Sequence, residues 1–130
     1  MKEKQLQDIT ALYGRLSRDD EVGGESMSIQ SQRAILGQYA KEHGFTNCQF
    51  FMDDGYSGTN FDRPAFTEMM ELVEQRRVRT IIVKDLSRLG RNYLEVGRYT
   101  EVIFPENKVR FIAITDGVDS AAGDNEFAPF

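Results

Sequence analysis

The chain has 130 residues, a length that suits one domain with a single hydrophobic core. Charged residues make up 28% of it, and no apolar run approaches the roughly 20 residues that a membrane helix needs, so no membrane partner is expected. The formal net charge of −5 argues as a total against a nucleic-acid partner, although a compact cationic site can exist on an acidic domain. The polar N-terminus does not resemble a signal peptide, and we expect a cytoplasmic protein.

Strands and helices are predicted to alternate along the chain. In order, they are a strand over 9–16, a helix over 28–43, a strand over 47–53, a helix over 64–76, a strand over 80–84, a helix over 87–104 and a strand over 109–115. The strand segments are apolar at nearly every position, which is typical of strands buried on both faces of a parallel sheet. The pattern therefore predicts an α/β fold with an open, mainly parallel sheet of four to five strands flanked by helices. Cys48, in the second strand, is expected in the core.

Polar side chains follow each predicted strand at the end where ligands bind in open parallel sheets. They are Arg15 and Ser17 after the first strand, Asp53 and Asp54 after the second, Lys84, Ser87, Arg88 and Arg91 after the third, and Thr115 and Asp116 after the fourth. Tyr13, Arg15 and Ser17 alternate along an extended segment, so they share one face of it. Two long irregular segments, 19–27 and 55–62, also lie beside the sheet, and such loops often carry function.

Four arginines are expected to meet at this edge of the sheet. Arg88 and Arg91 lie three residues apart at the start of the third predicted helix, so they would share a face near the positive end of its dipole. Arg15 ends the first strand, and Arg63 begins the second helix. A single arginine usually forms a surface ion pair. Four of them beside a serine instead predict a phosphate site, because the planar guanidinium matches phosphate oxygens and stays charged at any working pH.

Gln32 lies on the apolar stripe of the first predicted helix, between Ile29 and Leu36. A buried polar group costs about 1–3 kcal/mol unless it is hydrogen-bonded. Gln32 therefore either supports the phosphate site or bonds to nearby backbone, and the sequence leaves both open. No cluster of histidines and cysteines predicts a metal site, and no GxxxxGKS or GxxxxGKT loop predicts a nucleotide site. A serine nucleophile among arginines could carry out phosphoryl transfer without a metal.

Four motifs occur in an order that resembles the catalytic domain of the serine recombinases, the resolvase and invertase superfamily. They are YGRLS at 13–17, SIQSQR at 28–33, an aspartate at 54 followed by YSG at 56–58 and DRP at 62–64, and LSRLGR at 86–91. Each motif is weak alone, but four in order at suitable intervals are specific. Pro64 after Arg63, together with the closing stretch DNEFAPF, resembles the large recombinases of mobile elements and transposon excision.

The resemblance implies site-specific recombination of double-stranded DNA by a serine nucleophile. Ser17 would attack the scissile phosphate, form a 5′-phosphoserine linkage and release a 3′-hydroxyl. The residues that are implied to bind this phosphate and to stabilise the charge of the transition state are Arg15, Arg63, Arg88 and Arg91. Because the covalent ester conserves the bond energy, the resemblance implies rejoining without ATP, and no cofactor is expected.

The resemblance also implies groups that support the arginines. Gln32 and Asp54 would orient them, while Tyr13 and Ser87 would lie just behind them. Small resolvases and invertases commonly have an aspartate at the position of Ser87, so the role of a carboxylate there does not carry over. The general base that activates Ser17 stays open, with Asp54 as a candidate.

Members of the superfamily continue into a long assembly helix and then into DNA-binding domains. The resemblance therefore implies that residues 1–130 are the catalytic domain of a longer protein, which would act as a homodimer that goes on to a tetramer. Most of the DNA affinity would then lie outside this acidic segment.

Two other functions are considered beside this one. A magnesium-dependent receiver-type signalling domain has a similar order of elements and uses aspartates, a threonine and a lysine, which this chain has at 19, 20, 53, 54, 115 and 84. However, the phosphoacceptor of a receiver follows its third strand, its lysine follows the last strand, and it does not need the arginines. The second alternative is a catalytically inactive interaction module, and the intact Ser17 with its arginines argues against it.

Overall fold

The computed structural model describes residues 8–16, 28–55 and 63–121, which form a five-stranded sheet in the spatial order β2-β1-β3-β4-β5. The strands are β1 (Ile9–Leu16), β2 (Cys48–Asp54), β3 (Val78–Val83), β4 (Arg110–Ala113) and β5 (Val118–Asp119). The first four pair in parallel, and β5 pairs antiparallel with β4. The predicted fold class, an open and mainly parallel α/β sheet, is confirmed.

Helices connect the strands. They are α1 (Ile29–Glu42), α2 (Pro64–Glu74), α3 (Leu86–Leu89), α4 (Tyr93–Arg98) and α5 (Phe104–Glu106), with a π-helical turn (Tyr99–Ile103) between α4 and α5. α1 begins where the Ser28 side chain accepts a hydrogen bond from the backbone N of Ser31 at 3.0 Å, and it ends before Gly44, whose φ of 77° suits glycine. Within the described ranges, no helix has the length and apolar character that crossing a membrane requires.

Two hydrophobic cores lie on opposite faces of the sheet, because successive residues of a strand point to opposite sides. Leu12 and Ile82 pack with Leu36 of α1 on one face. Tyr13 packs with Phe66 of α2 on the other, and their rings meet edge to face with centroids 5.6 Å apart. A fully buried Leu or Phe side chain contributes about 1.5–3 kcal/mol relative to exposure, so the helices on both faces stabilise the sheet.

The strand order reverses at β1. The chain passes from β1 through α1 to β2 on one side, and then through α2 to β3 on the other side of β1. Such a reversal leaves a crevice at the carboxyl ends of the two diverging strands, where ligands bind in open parallel sheets. In this protein the crevice lies between the carboxyl ends of β1 and β3.

The prediction of one continuous helix over 87–104 is wrong. α3 ends before Gly90, and α4 begins after Asn92, whose side chain accepts a hydrogen bond from the backbone N of Glu95 at 3.1 Å. An asparagine that caps a new helix favours a break, and a glycine before it lowers the cost of leaving the first helix. Arg88 and Arg91 therefore do not share a helix face as predicted, because Arg88 is buried in α3 and Arg91 is exposed beyond it.

β2 is an edge strand, and its first residues differ from the prediction. Cys48, which was expected in the core, is exposed. Phe50 is also exposed, and the centroid of its ring lies 4.2 Å from the guanidinium carbon of Arg33. The strand becomes buried at Phe51 and again at Asp53. An apolar run can indicate burial on both faces, but it does not disclose which strand will lie at the edge of the sheet.

Candidate active site

Three buried arginines meet at the carboxyl ends of the strands. Arg15 lies near the end of β1, Arg63 directly precedes α2, and Arg88 lies in α3, with exposed fractions of 0%, 1% and 6%. We call these three residues the buried arginine cluster. A buried cation loses its hydration, which costs on the order of several kcal/mol unless hydrogen bonds and opposite charges replace the water. The groups that replace the water therefore determine where each guanidinium points.

Backbone carbonyls of α3 accept hydrogen bonds from two of these arginines. Arg15 donates from Nη2 to the Ser87 oxygen at 2.5 Å and from Nε to the Arg88 oxygen at 3.3 Å. Arg63 donates from Nη1 to the Arg88 oxygen at 3.3 Å and from Nη2 to the Leu89 oxygen at 2.6 Å. The last carbonyls of a helix have no partner within the helix and carry partial negative charge. The two guanidiniums therefore hold α3 against the end of the sheet.

The backbone of Arg15 is fixed by two other side chains. Gln32, which is fully buried, accepts from the Arg15 N at 3.2 Å through Oε1 and donates from Nε2 to the Arg15 oxygen at 3.1 Å. Arg88 donates from Nη1 to the same oxygen at 3.2 Å. Of the two roles that the sequence left open for Gln32, the structure shows the bond to backbone. That backbone belongs to a cluster arginine, so Gln32 reaches the site through it.

Gly14 leaves the space that the Gln32 amide occupies. A Cβ added at Gly14 would lie 2.8 Å from Gln32 Oε1 and 2.7 Å from the sulfur of Met52, and real Cβ atoms do not approach other atoms so closely. The Met52 side chain can move, but Gln32 is held at both ends of its amide. Residue 14 therefore has to be glycine for the amide to pair with the strand.

Tyr13 and Asp53 form a buried pair next to Arg63. The Tyr13 hydroxyl donates to Asp53 Oδ2 at 2.8 Å and accepts from Arg63 Nη1 at 2.9 Å. Asp53 also accepts from the backbone N of Ala65 at 2.8 Å and of Phe66 at 2.9 Å, which caps the start of α2. Burial raises the pKa of Tyr13 far above its usual range, and the charge of Arg63 offsets only part of this rise. The phenol therefore stays protonated and can donate to the carboxylate.

Asp85 holds the other end of α3. It accepts from Ser87 Oγ at 2.5 Å and from the Arg88 backbone N at 3.2 Å, and its Oδ2 lies 3.3 Å from Lys84 Nζ. Burial alone would raise the pKa of this carboxyl, but the hydrogen bond from Ser87 and the charges of Arg88 and Lys84 together hold the pKa below its ordinary value. Asp85 is thus an anion that fixes the first turn of α3.

The turn that follows β4 supports the same short helix. Asp116 accepts a hydrogen bond from the backbone N of Leu86 at 2.7 Å, and the Thr115 N donates to the Lys84 oxygen at 2.8 Å. α3 is therefore anchored at its first residue by Asp116, in the turn after β4, and at its last residues by Arg15 and Arg63. A four-residue helix has little stability of its own, so these contacts are what keep Arg88 in place.

The structure brings together most of the side chains that the sequence singled out. Those in mutual contact are Tyr13, Arg15, Gln32, Arg63, Ser87 and Arg88. Asp54 is exposed at the end of β2, and Arg91 is exposed between α3 and α4, so neither belongs to the buried arrangement. Ser17 lies outside the described residues. The described ranges place no group of three or more His, Cys, Asp or Glu side chains where they could hold a metal ion.

Sequence reasoning missed Asp85, and it named Asp53 at the end of the second strand without giving it a role in the phosphate site. A signal for Asp53 was present, because alternation along β2 places Asp53 on the same face as Phe51 and turns Asp54 to the other face. Asp85 stands directly before α3 and is its N-cap, a position where aspartate is favoured. The roles of both carboxylates depend on hydrogen-bond partners that only the folded chain brings to them.

The comparisons with known proteins agree with this arrangement. The family described as "Resolvase, N terminal domain" matches residues 10–128. The chain belongs to the resolvase family. It is therefore an enzyme that cleaves and rejoins DNA, and its general activity is site-specific recombination. The family match does not favour the receiver-type alternative.

Two solved structures and one curated protein resemble this resolvase-family domain. The N-terminal catalytic domain of TP901-1 integrase is 25% identical, with a TM-score of 0.77 over 94% of this chain and 97% of that one. A resolvase family site-specific recombinase from Streptococcus pneumoniae is 28% identical, with a TM-score of 0.70 over 88% and 76%. An uncharacterized immunity region protein 3 of Bacillus phage phi105 is 30% identical over 64 residues, which are 49% of this chain and 77% of that protein. The fold is thus shared with recombinase catalytic domains.

Proposed function

We propose that this domain cleaves DNA through Ser17 and holds the scissile phosphate with Arg15, Arg63, Arg88 and Arg91. The observation that carries the proposal is the burial of the arginine cluster around α3, at the end of the strand that leads into Ser17. A guanidinium keeps its charge at any working pH, and solvent screens a buried charge much less than an exposed one. Such an edge attracts a phosphate even on a domain whose net charge is −5.

In the proposed cleavage step, Ser17 Oγ attacks the phosphorus of the scissile diester and gives up its proton. The bond from phosphorus to the 3′ oxygen breaks, the 3′ oxygen takes a proton and leaves as a hydroxyl, and the 5′ phosphate stays on Ser17. The arginines stabilise the negative charge that builds up on the phosphate oxygens in the transition state. Rejoining is the reverse reaction, in which a 3′-hydroxyl attacks the phosphoserine, so no ATP is consumed.

The supporting residues have distinct parts in this proposal. Gln32 holds the backbone of Arg15, and Tyr13 holds the guanidinium of Arg63. Ser87 donates to Asp85 at the base of α3. Asp54, exposed at the end of β2, remains the candidate for the general base.

The proposed substrate is double-stranded DNA that contains a recombination site, and the proposed active assembly is a homodimer that joins a second dimer to form a tetramer. We propose residues 1–130 as the catalytic domain of a large serine recombinase. The resemblance to the catalytic domain of an integrase supports this assignment.

The test measures covalent strand cleavage by the full-length protein and by its Ser17→Ala variant. The substrate is a library of duplex fragments prepared from the genomic DNA of the source organism. The wild type should form protein–DNA adducts that survive denaturation, whereas Ser17→Ala should form none and should still bind duplex DNA. Adducts should also form in excess EDTA at fixed ionic strength, because the arginines take the role of a metal cation. Cleavage by Ser17→Ala would contradict the assignment. Loss in EDTA that only magnesium reverses would point to a metal mechanism.

A further inference from the structure

Asp53 is a buried carboxylate at the site whose contacts reach further than those of an ordinary helix cap. It is 2% exposed, and its two oxygens accept three hydrogen bonds from two elements. Two of the donors are backbone N atoms in the first turn of α2, and the third is the Tyr13 hydroxyl on β1. Asp53 itself lies in β2, one residue before its end, so a single side chain ties two strands to the start of a helix.

The first connection from Asp53 to Arg63 runs through the backbone. Arg63 is the residue directly before α2, with an extended backbone (φ −135°, ψ 127°) and no cap hydrogen bond from its own side chain to the helix. Asp53 supplies that cap, through the backbone N atoms of Ala65 and Phe66. The position of the α2 start, and hence of the Arg63 Cα, is therefore set by Asp53.

The second connection runs through the phenol. Tyr13 donates its proton to Asp53 Oδ2, so a lone pair of the hydroxyl oxygen is oriented toward Arg63 Nη1, 2.9 Å away. The same guanidinium then reaches the carbonyls of Arg88 and Leu89 in α3. One carboxylate thus fixes Arg63 at both its backbone and its tip, and Arg63 in turn fixes α3.

We propose that Asp53 is a positioning residue of the recombination reaction, which sets the Arg63 guanidinium through the Tyr13 hydroxyl and the first turn of α2. The inference rests on the proposed function, in which Arg63 binds the scissile phosphate. Asparagine has nearly the same shape as aspartate, but its amide nitrogen is a donor and would face either the Ala65 N–H or the pair formed by Phe66 N–H and Tyr13 O–H. At least one of these contacts is lost, and a guanidinium displaced by about 1 Å can cost about 10²-fold in rate.

The experiment measures the single-turnover rate of covalent adduct formation and duplex binding for the full-length protein, well below the melting temperature of each variant. Asp53→Asn should lower the rate about 10²-fold with little change in binding. In an Arg63→Lys background the same change should lower the rate by less than about threefold, because Asp53 acts through Arg63. A purely structural role would instead give independent, multiplying effects.

Two further variants keep the proposal falsifiable. Tyr13→Phe keeps both hydrogen bonds from the start of α2 to Asp53 and removes only the hydroxyl between Asp53 and Arg63. It should lower the rate of adduct formation about tenfold, and this effect should also disappear in the Arg63→Lys background. It replaces Asp53→Asn if that variant does not fold. The control is Asp119→Asn. Asp119 lies outside the buried arginine cluster and accepts a hydrogen bond from Arg110 Nη2 at 2.7 Å, so this change should leave the cleavage rate within about twofold of the wild type.

The proposal and the function on which it rests fail in different ways. If the wild type forms no adduct, or if Ser17→Ala still cleaves, the proposed function is wrong. If the wild type forms the adduct and Asp53→Asn or Tyr13→Phe matches its rate, only the positioning role is wrong. Effects that multiply unchanged in the Arg63→Lys background would likewise overturn the positioning role.

Discussion

We call the side of the sheet where the parallel strands begin its amino edge and the side where they end its carboxyl edge. The two use arginine in opposite ways. At the amino edge, Arg79 lies 3.1 Å from Asp8, and Arg110 lies 3.0 and 2.7 Å from the two oxygens of Asp119. These side chains are 61% and 41% exposed. At the carboxyl edge, the buried arginine cluster is at most 6% exposed and donates to backbone carbonyls of α3 and β1. The residue type is the same at both edges, and the two differ in burial and in hydrogen-bond partners.

This difference supports the proposal that an acidic protein binds a phosphate at the buried arginine cluster. An exposed ion pair contributes about 0–1 kcal/mol, and water and salt screen it, so the arginines at the amino edge form ordinary surface contacts. A buried guanidinium that is anchored on carbonyls is fixed in direction and keeps its charge. The net charge of −5 therefore describes the protein as a whole, while the proposed chemistry depends on where three cations are buried.

The largest expected difference in cleavage rate is between matched arginine-to-lysine changes at the two edges. Lysine keeps the charge and loses the planar fork. Arg88→Lys should lower the rate of covalent cleavage about 10²-fold or more, in line with the loss of one preorganised donor, with little change in duplex binding. Arg110→Lys should leave the cleavage rate within about twofold and should change the free energy of unfolding by at most about 1 kcal/mol. Equal rates for the two variants would remove the distinction between the edges.

A smaller effect is expected from crowding the carboxyl edge without touching any charge. Gly14→Ala places a Cβ against the amide of Gln32, so it should lower the free energy of unfolding by about 1–3 kcal/mol and the cleavage rate about tenfold. Gly97→Ala is the control, since an added Cβ there meets nothing within 4 Å. That change should raise stability by up to about 1 kcal/mol, because alanine favours a helix over glycine. Thermal or urea unfolding beside the cleavage assay measures both, and unchanged stability of Gly14→Ala would contradict the close fit.

Local pattern was enough to predict the sheet and the longer helices. β1 spans the predicted residues 9–16, and α1 and α2 begin and end within two residues of their predictions. Hydrophobic periodicity, a serine cap and Pro64 are local signals, and nothing in the tertiary structure overrides them. The prediction that polar side chains converge at the carboxyl ends of the strands also holds for Arg15, Arg63 and Arg88.

The parts that could not be predicted depend on contacts between distant segments. The break between α3 and α4 leaves α3 only four residues long, and side chains from β1, from the turn after β4 and from the start of α2 hold it in place. Helix propensity over 87–104 does not contain that information. Cys48 is exposed because β2 lies at the edge, which is set by strand order. Gln32 could be predicted to need partners, but only the folded chain shows that they belong to Arg15.

The most direct test of the account is to identify the residue that carries the DNA. Adducts from the full-length protein would be digested with nuclease and protease, and the peptide that retains a nucleotide would be sequenced by mass spectrometry. The account predicts a 5′-phosphate ester on Ser17, two residues beyond Arg15 of the buried arginine cluster. A stable linkage to any other residue, or attachment through a 3′ phosphate, would contradict it.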